Sequence, residues 1–196
     1  MLRRTFIWST PGSLLALGAA LSGCTTPSSS DASRSEQMDK RRTIDAGVDS
    51  TLGRLYNVVS GSHELVSKAC GVLVFPSVLD AGFVVGGQYG EGSLRVGGRT
   101  VGYYSTATGS IGWQIGAQSR AIVFLFMTDE SLNRFGSTDG WSAGGDASVA
   151  VLQIGANGNL DTSTATGQVN AFVLTNHGLM AGASLEGTKV TRLASL

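Results

Sequence analysis

Apolar residues alternate with glycine and polar residues along much of the segment from Ala81 to Met127. The clearest run places Ile111, Trp113 and Ile115 at every second position, with glycine or glutamine between them. A period of two is typical of β-strands. Because glycine lies repeatedly opposite the bulky side chains, we expect bulges, sharp coiling, or a helix or second sheet packed close to the backbone. The pattern predicts a strongly coiled antiparallel sheet.

Between Gln37 and Val59 the apolar positions recur every three or four residues, which indicates an amphipathic helix. Its apolar stripe consists of Ile44, Val48, Leu52, Leu55 and Val59. The run from Ala121 to Met127 is instead apolar at every position, as expected of a strand that is covered on both faces. We expect the helix to pack its stripe on the sheet and to provide one of these two covers.

The remaining elements are shorter, and capping and turn residues set their bounds. Thr128, followed by two acids, predicts a helix from about 129 to 135 that ends at Gly136, and Pro76 should end the first strand. The other expected elements are a strand at 71–75, helical turns at 63–69, a hairpin bend at 86–92, strands at 143–153, 168–174 and 179–185 with an extension at 189–193, and a turn at 157–158. Together they predict an α+β fold, in which a coiled, Gly-rich antiparallel β-sheet, partly closed and barrel-like, packs against an N-terminal amphipathic helix and short helices.

The N-terminal residues have the pattern of a secretory signal peptide. Arg3 and Arg4 give a positive start, and a short apolar core follows over 14–21. This core is too short for a comfortable membrane span. The run Leu21-Ser22-Gly23-Cys24 matches the bacterial lipobox, in which two small residues admit the peptidase and the cysteine thiol accepts the diacylglyceryl group. We therefore expect lipidation at Cys24.

These signals divide the chain into three parts. Residues 1–23 are the expected lipoprotein signal peptide, 24–36 the lipidated cysteine with a flexible Ser/Thr-rich tether, and 37–196 a single domain. Thr25 follows Cys24 where a sorting rule of thumb looks for aspartate as an inner-membrane retention signal. We therefore expect a lipid-anchored protein of the bacterial cell envelope, at the outer membrane and facing the periplasm or the cell surface.

Charge and length narrow the function classes. A chain of 196 residues is long enough for one domain with a sizeable core. Its 14 Lys and Arg equal its 14 Asp and Glu, and removal of residues 1–23 takes away Arg3 and Arg4, which leaves 12 basic against 14 acidic residues. Since nucleic-acid binding needs a basic face, we expect no nucleic-acid partner. Cys70, the second cysteine, is expected as a small buried core residue.

The sequence offers no catalytic or metal-binding constellation. His63 and His177, the two histidines, lack Cys, His or carboxylate neighbours at ligand spacing. The run 182–187 approaches a nucleophile elbow without its final glycine in place, and 157–161 resembles half of a calcium loop without the terminal bidentate acid. We therefore expect a protein that is not an enzyme and that needs no cofactor or metal.

Several segments in order resemble the SYLF domain family. They are the glycine-rich region 81–127, Ala69 to Pro76 before it, Trp141 to Ala150, and the run from Gly178 to Gly187. The resemblance extends over roughly residues 40 to 193 and is to the bacterial lipoprotein branch of the family. It implies phospholipid binding and not catalysis. Actin binding by eukaryotic relatives is not expected of a periplasmic lipoprotein.

The candidate lipid-binding residues are cations near the predicted helix start. Lys40, Arg41 and Arg42 lie where positive charge opposes the helix dipole, which suggests a functional reason for them, and Arg54 and Lys68 are candidates to join them. We expect binding of anionic phospholipid membranes through these residues. A solvated surface patch would explain the same cluster. The alternative function is a structural or interaction lipoprotein of the envelope that binds a protein or cell-wall partner.

Overall fold

The computed structural model describes residues 29–112, 119–153, 160, 167–180 and 183–196. Within these ranges the helices are α1 (Ser29–Val58), α2 (Ser62–Lys68) and α3 (Asp129–Ser137). The strands are β1 (Gly71–Val96), β2 (Arg99–Gly112), β3 (Ser119–Phe126), β4 (Trp141–Ser142), β5 (Val149–Val151), β6 (Val169–Thr175), β7 (Gly178–Leu179) and β8 (Lys189–Arg192). The expected turn at 157–158, the half calcium loop and the signal peptide with Cys24 lie largely or wholly outside the described residues.

The strands form one curled sheet with the order β4-β8-β2-β1-β3-β6-β5, and β7 pairs with β6. All of these pairs are antiparallel except β5 with β6, which is parallel. The sheet is strongly curled into a half-barrel, and the α+β class predicted from the sequence is confirmed. The antiparallel prediction is wrong only for the short β5, so the sheet is mixed.

The long strand β1 causes the curl, and it corrects two predictions. Pro76 does not end the strand, since the register of β1 against β3 shifts between Phe75 and Val78 and the proline occupies this bulge, where its missing N–H is tolerated. The hairpin bend expected at 86–92 is also absent, because these residues pair with β2 as continuous strand. The chain turns instead at Gly97 and Gly98, whose φ angles of 56° and 79° suit a two-residue hairpin.

Two glycines in the second half of β1 allow the strand to fold over its own first half. A Cβ atom on Gly92 would overlap the carbonyl oxygen of Val74, and one on Gly90 would lie 2.7 Å from that of Ser77. Contacts this short are not possible for real side chains, so glycine is required. The close backbone approach predicted from the clustered glycines is thereby confirmed for these positions.

Helix α1 begins eight residues earlier than predicted. Residues 29–36, assigned from the sequence to the flexible tether, are helical, although four of the eight are serine, which has only moderate helix propensity. The helix has 30 residues, yet no described helix is both long and apolar enough to cross a membrane. Its predicted stripe is confirmed, since Val48, Leu55 and Val59 are fully buried.

The stripe of α1 covers one face of the sheet, as predicted. It packs with side chains of β1, β3 and β6 in one apolar cluster, whose sheet members are Val72, Val74, Ala121, Val123, Leu125, Phe172 and Leu174. The other residues of β3 point to the opposite face, where Phe124, Phe126 and Trp141 pack edge to face at centroid distances of 5.8 to 6.1 Å. All residues of β3 from Ala121 to Phe126 are therefore buried, and its prediction as a doubly covered strand is confirmed.

The shorter elements match the predictions unevenly. Helix α3 is confirmed, with the hydroxyl of Thr128 accepting a hydrogen bond of 3.2 Å from the N–H of Ser131, and α2 and β6 lie where expected. The strand predicted at 143–153 is wrong over most of its length, because the chain turns sharply after Ser142 and the carboxylate of Asp146 accepts hydrogen bonds from it. Of 179–185, only Leu179 belongs to a strand among the described residues, and the predicted extension is the main final strand, β8.

Replacement of Gly92 by alanine tests the close approach within β1. We expect Gly92→Ala to lower the free energy of unfolding by about 3 kcal/mol or more, because the added methyl group overlaps the Val74 carbonyl. Gly109→Ala in β2 is the matched control, since no described residue lies within 4 Å of its Cβ position. The control should change stability by less than about 1 kcal/mol. Urea unfolding checks both values, and equal effects of the two variants would contradict the strand crossing.

Candidate functional site

The predicted cations Lys40, Arg41 and Arg42 are exposed on α1, and each has a different partner. The ammonium of Lys40 lies 2.8 Å from the carboxylate of Glu91 on β1. The Arg41 guanidinium lies 5.7 Å from the centre of the Tyr103 ring. Arg42 is 80% exposed and pairs only loosely, at 3.5 Å, with Asp39 of its own helix.

The three cations do not lie at the start of the helix, as the sequence analysis expected. Because α1 begins at Ser29, Lys40 lies eleven residues inside the helix and not in its first turn. The helix dipole acts within the first and last turns, so these cations do not oppose it. Their significance must come from their exposure and their neighbours.

The two further candidates do not join this group in a single cluster. Arg54 lies fourteen residues after Lys40, or about 21 Å farther along the helix axis, and makes no ion pair with any described residue. Lys68 belongs to α2, where its ammonium contacts Glu64 one turn earlier at 2.6 Å. A lipid-binding role of the five cations stays a prediction.

An aromatic side chain of β1 adds to the surface around Lys40. The hydroxyl of Tyr89 donates a hydrogen bond of 2.8 Å to Glu91, the same carboxylate that pairs with Lys40. Tyr89 is 53% exposed, and Met38 on α1 is 52% exposed. We call the exposed residues Met38, Lys40, Arg41, Arg42 and Tyr89 the α1 patch. Because each helical residue turns by about 100°, the α1 members lie around the helix and not on one face of it.

A polar cluster fastens α1 to the β1–β2 hairpin. The carboxylate of Asp45 accepts hydrogen bonds from the hydroxyls of Ser93, Thr100 and Tyr103 at 3.2, 2.9 and 2.8 Å. Arg95 adds a bond of 3.4 Å to the backbone oxygen of Asp45. We call these five residues the Asp45 clasp. Because hydrogen bonds are directional, the clasp fixes how α1 lies on the hairpin.

Arg95 also reaches one turn farther along α1. Its Nη1 atom donates to the carboxylate of Asp49 at 2.5 Å, and its side chain is 17% exposed. The Nε atom of Arg95 is buried and has no hydrogen-bond partner among the described residues. The guanidinium therefore keeps unused donor capacity, which is uncommon for a buried cation.

The clasp changes the acidity of Tyr103. Burial of the phenol, its hydrogen bond to Asp45 and the negative charge of that carboxylate raise the pKa of Tyr103 to about 12, against the opposing influence of Arg41 and Arg95. Tyr103 is therefore a neutral donor at physiological pH. Its ring holds Arg41 while its hydroxyl holds Asp45, so it connects the α1 patch to the clasp.

A groove lies next to the clasp, between α1, the end of α2 and the β1–β2 turn. It has a volume of about 550 Å³. Leu52 and Tyr56 of α1 face Val66 of α2 and Val72 of β1 across it. Its size falls within the range of small-molecule sites, which are concave and mostly apolar. Elsewhere, no group of three or more His, Cys, Asp or Glu among the described residues could hold a metal ion.

Comparison with protein families gives a match. Residues 107–195 match the family model Ysc84, described as "Las17-binding protein actin regulator". This segment, a little under half of the chain, is similar to the Ysc84/SYLF family. The family is associated with the binding of lipids or of actin regulators. No curated protein matches the chain.

The SYLF match begins within β2 and runs through β8, so it excludes α1 and nearly all of the β1–β2 hairpin. The resemblance seen in the sequence is confirmed for the family, and the lipoprotein branch stays a prediction. Neither the α1 patch nor the Asp45 clasp lies within the matched residues. The family supports lipid or protein binding in general, and the particular site must be argued from the structure.

Sequence reasoning missed the clasp, although a signal for it exists. Asp45 and Asp49 are one turn apart and lie directly beside the apolar positions Ile44 and Val48. Acids next to the buried stripe of a helix need partners from the surface that the stripe covers. Cys70 was also misjudged, since it is only half-buried and its thiol lies 3.7 Å from the Met127 carbonyl oxygen.

The raised pKa of Tyr103 predicts how the clasp responds to pH. Its hydroxyl stabilises the fold fully below the unfolded-state pKa of about 10, and this contribution is lost as pH rises towards 12. At pH 8 we expect Tyr103→Phe to lower the free energy of unfolding by about 1 to 2 kcal/mol. Urea unfolding from pH 8 to 11 measures the difference between the two proteins, which should shrink above pH 10. A difference that grows with pH would contradict the assignment.

Proposed function

We propose that the chain is a lipid-anchored lipoprotein of the bacterial cell envelope whose globular domain binds anionic phospholipid. The general association of the Ysc84/SYLF family with lipid binding supports the second half of this proposal. The lipobox ending at Cys24 supports the first. The outer membrane is the proposed site of anchoring, with the domain in the periplasm or at the cell surface. The role is one of binding and not of catalysis.

The observation that carries the proposal is the composition of the α1 patch. It contains three exposed cations and an exposed methionine on α1, together with a half-exposed tyrosine that shares the Glu91 carboxylate with Lys40. Tyrosine favours the boundary between water and lipid because one end of its side chain is apolar and the other polar. Each cation near an anionic membrane surface contributes about 1 kcal/mol of binding free energy. The patch therefore combines the two side-chain chemistries that a membrane surface attracts.

The present partners of these cations would not prevent lipid binding. The pair between Arg42 and Asp39 is exposed at both ends, and the side chain of Lys40 is 46% exposed. Exposed ion pairs of this kind contribute about 0 to 1 kcal/mol. Phosphate groups of a membrane can therefore replace the carboxylates at little cost.

The position of the proposed anchor also favours the α1 patch. Cys24 precedes Ser29, the start of α1, by five residues. Five residues span at most about 18 Å when fully extended. An acyl anchor at Cys24 would therefore hold the N-terminal half of α1 near the bilayer, where even a weak site is occupied because of its high local concentration.

The second candidate function is an interaction lipoprotein with a protein partner in the envelope. The family description names a protein that binds another protein, and this favours the candidate. Actin itself does not carry over to a periplasmic protein. Neither function involves nucleic acid.

Vesicle co-sedimentation tests the proposal with the chain carrying Cys24→Ser, so that an acyl anchor cannot contribute. We expect binding to vesicles of phosphatidylglycerol and phosphatidylcholine, and none to phosphatidylcholine alone. Replacement of Lys40, Arg41 and Arg42 by glutamate should weaken binding at least a hundredfold, because three contributions of about 1 kcal/mol are lost and reversed. Added salt should weaken binding of the unaltered patch.

The matched control makes the same charge change on other elements. Arg134, Lys189 and Arg192 are exposed and lie outside the α1 patch, and their replacement by glutamate should reduce vesicle binding far less. Circular dichroism checks that both triple variants are folded. Equal loss in both variants would show a response to net charge alone. If the protein with an unaltered α1 patch does not bind vesicles, the protein-partner candidate is favoured. Pull-down from envelope extracts then tests that candidate.

A further inference from the structure

The groove beside the clasp has apolar walls formed by three separate elements. Leu52 and Tyr56 belong to α1, Val66 lies in α2, Ala69 follows α2, and Val72 lies at the start of β1. Apart from its aromatic hydroxyl, this part of the lining offers carbon atoms and no charge. Burial of apolar ligand surface here is favourable because it removes that surface from water.

Three glycines leave the rim of the groove free of side chains. Nothing lies within 4 Å of the Cβ positions of Gly53 on α1 or of Gly97 and Gly98 in the β1–β2 turn. Gly53 is unusual among them, because glycine in the middle of a helix costs roughly 0.5–1 kcal/mol relative to alanine. Because Gly53 has no side chain, the groove stays accessible from α1.

One end of the groove carries the ion pair between Arg95 and Asp49. The guanidinium of Arg95 lines this end, and its contact with Asp49 is the interaction that an incoming carboxylate would replace. The backbone N–H groups of Gly97 and Gly98 next to it make no backbone hydrogen bond to another described residue outside the hairpin pairing. Asp49 provides the opposing negative charge, and its carboxylate is 65% exposed. A cation and backbone donors at the end of an apolar groove suit an acid group on an apolar chain.

We infer that this groove binds the single acyl chain of a long-chain fatty acid, with the fatty-acid carboxylate at Arg95. A water molecule accounts for about 30 Å³ of liquid and a methylene group is of similar size, so the groove accepts a chain of roughly 12 to 18 carbons. This volume matches one acyl chain, so the proposed ligand is a single-chain fatty acid and not a diacyl phospholipid. The carboxylate would replace Asp49 at the guanidinium, and the exposed Asp49 would turn to solvent.

This site is separate from the membrane contact proposed above and does not depend on it. The α1 patch lies over residues 38–42 of the helix, whereas the groove uses positions 49–56 of the same helix. Arg95 connects them only through the Asp45 clasp. Each site can therefore be lost while the other is retained, and the two sites have different test variants.

Titration calorimetry with sodium hexadecanoate below its micellar concentration tests the inference, with the full chain carrying Cys24→Ser. We expect one fatty acid to bind per chain, with dodecanoate at least tenfold weaker because each buried methylene contributes up to about fourfold. Gly53→Trp should reduce hexadecanoate binding at least tenfold, since the indole covers the groove. Gly136→Trp is the matched control, because Gly136 lies in helix α3 with nothing within 4 Å of its Cβ position.

Two further variants separate a ligand contact from a structural role. Arg95→Gln and Asp49→Asn each remove one half of the same ion pair, so a merely structural pair would give effects of the same sign. We expect opposite signs for hexadecanoate binding. Arg95→Gln should weaken it at least fivefold, because the cation is lost, and Asp49→Asn should strengthen it, because the competing carboxylate is gone.

Three results would overturn the inference: no heat of binding for hexadecanoate, equal binding by Gly53→Trp and Gly136→Trp, or equal binding of hexadecanoate by Arg95→Gln and the parent. Vesicle co-sedimentation of the same variants distinguishes the two proposals. Gly53→Trp should keep its vesicle binding, and the Lys40, Arg41 and Arg42 triple variant should keep its hexadecanoate binding. Loss of both activities in either variant would contradict two separate sites.

Discussion

The fold depends on the covering of one apolar sheet face by helix α1. Strand β3 and its neighbour β6 are apolar on both sides, so neither face of the sheet centre can be left in water. One face is covered by α3 and the aromatic cluster around Trp141. The other has α1 as its main cover, with Val48 and Leu55 fully buried against it. The helix and the sheet therefore require each other, and every surface discussed above is positioned by their contact.

Apolar packing alone does not fix the orientation of this helix. Burial is non-directional, so a stripe of similar side chains can slide or rotate on a flat apolar face. Asp45 removes this freedom, because three hydroxyls from the hairpin converge on its carboxylate. The long, curled β1 in turn places Ser93 and Arg95 beneath the helix. The curl thus depends on Gly90 and Gly92, and the helix orientation depends on the curl.

The features that could be predicted from the sequence are those that depend only on neighbouring residues. The stripe of α1, the doubly apolar β3 and the cap at Thr128 are all visible within a few residues, and they are confirmed. The passage of β1 through Pro76 depends on pairing with β3 more than forty residues away, which tolerates a bulge at the proline. The clasp likewise joins Asp45 to residues 48 to 58 positions later. Periodicity carries no information about such pairings, so the cations were visible but their partners were not.

The placement of α1 also explains why both candidate surfaces share this helix. Its apolar stripe is buried in the core. Its first turns extend beyond this stripe, since residues 33–43 are exposed. Cations are stable there because the backbone is already helical and the side chains stay in water. Farther along, the hairpin turn approaches the helix at Gly53 and leaves a gap instead of a contact. One helix therefore offers a charged surface where it leaves the sheet and an apolar groove where it meets the hairpin, with Tyr103 and Arg95 holding the two in fixed relation.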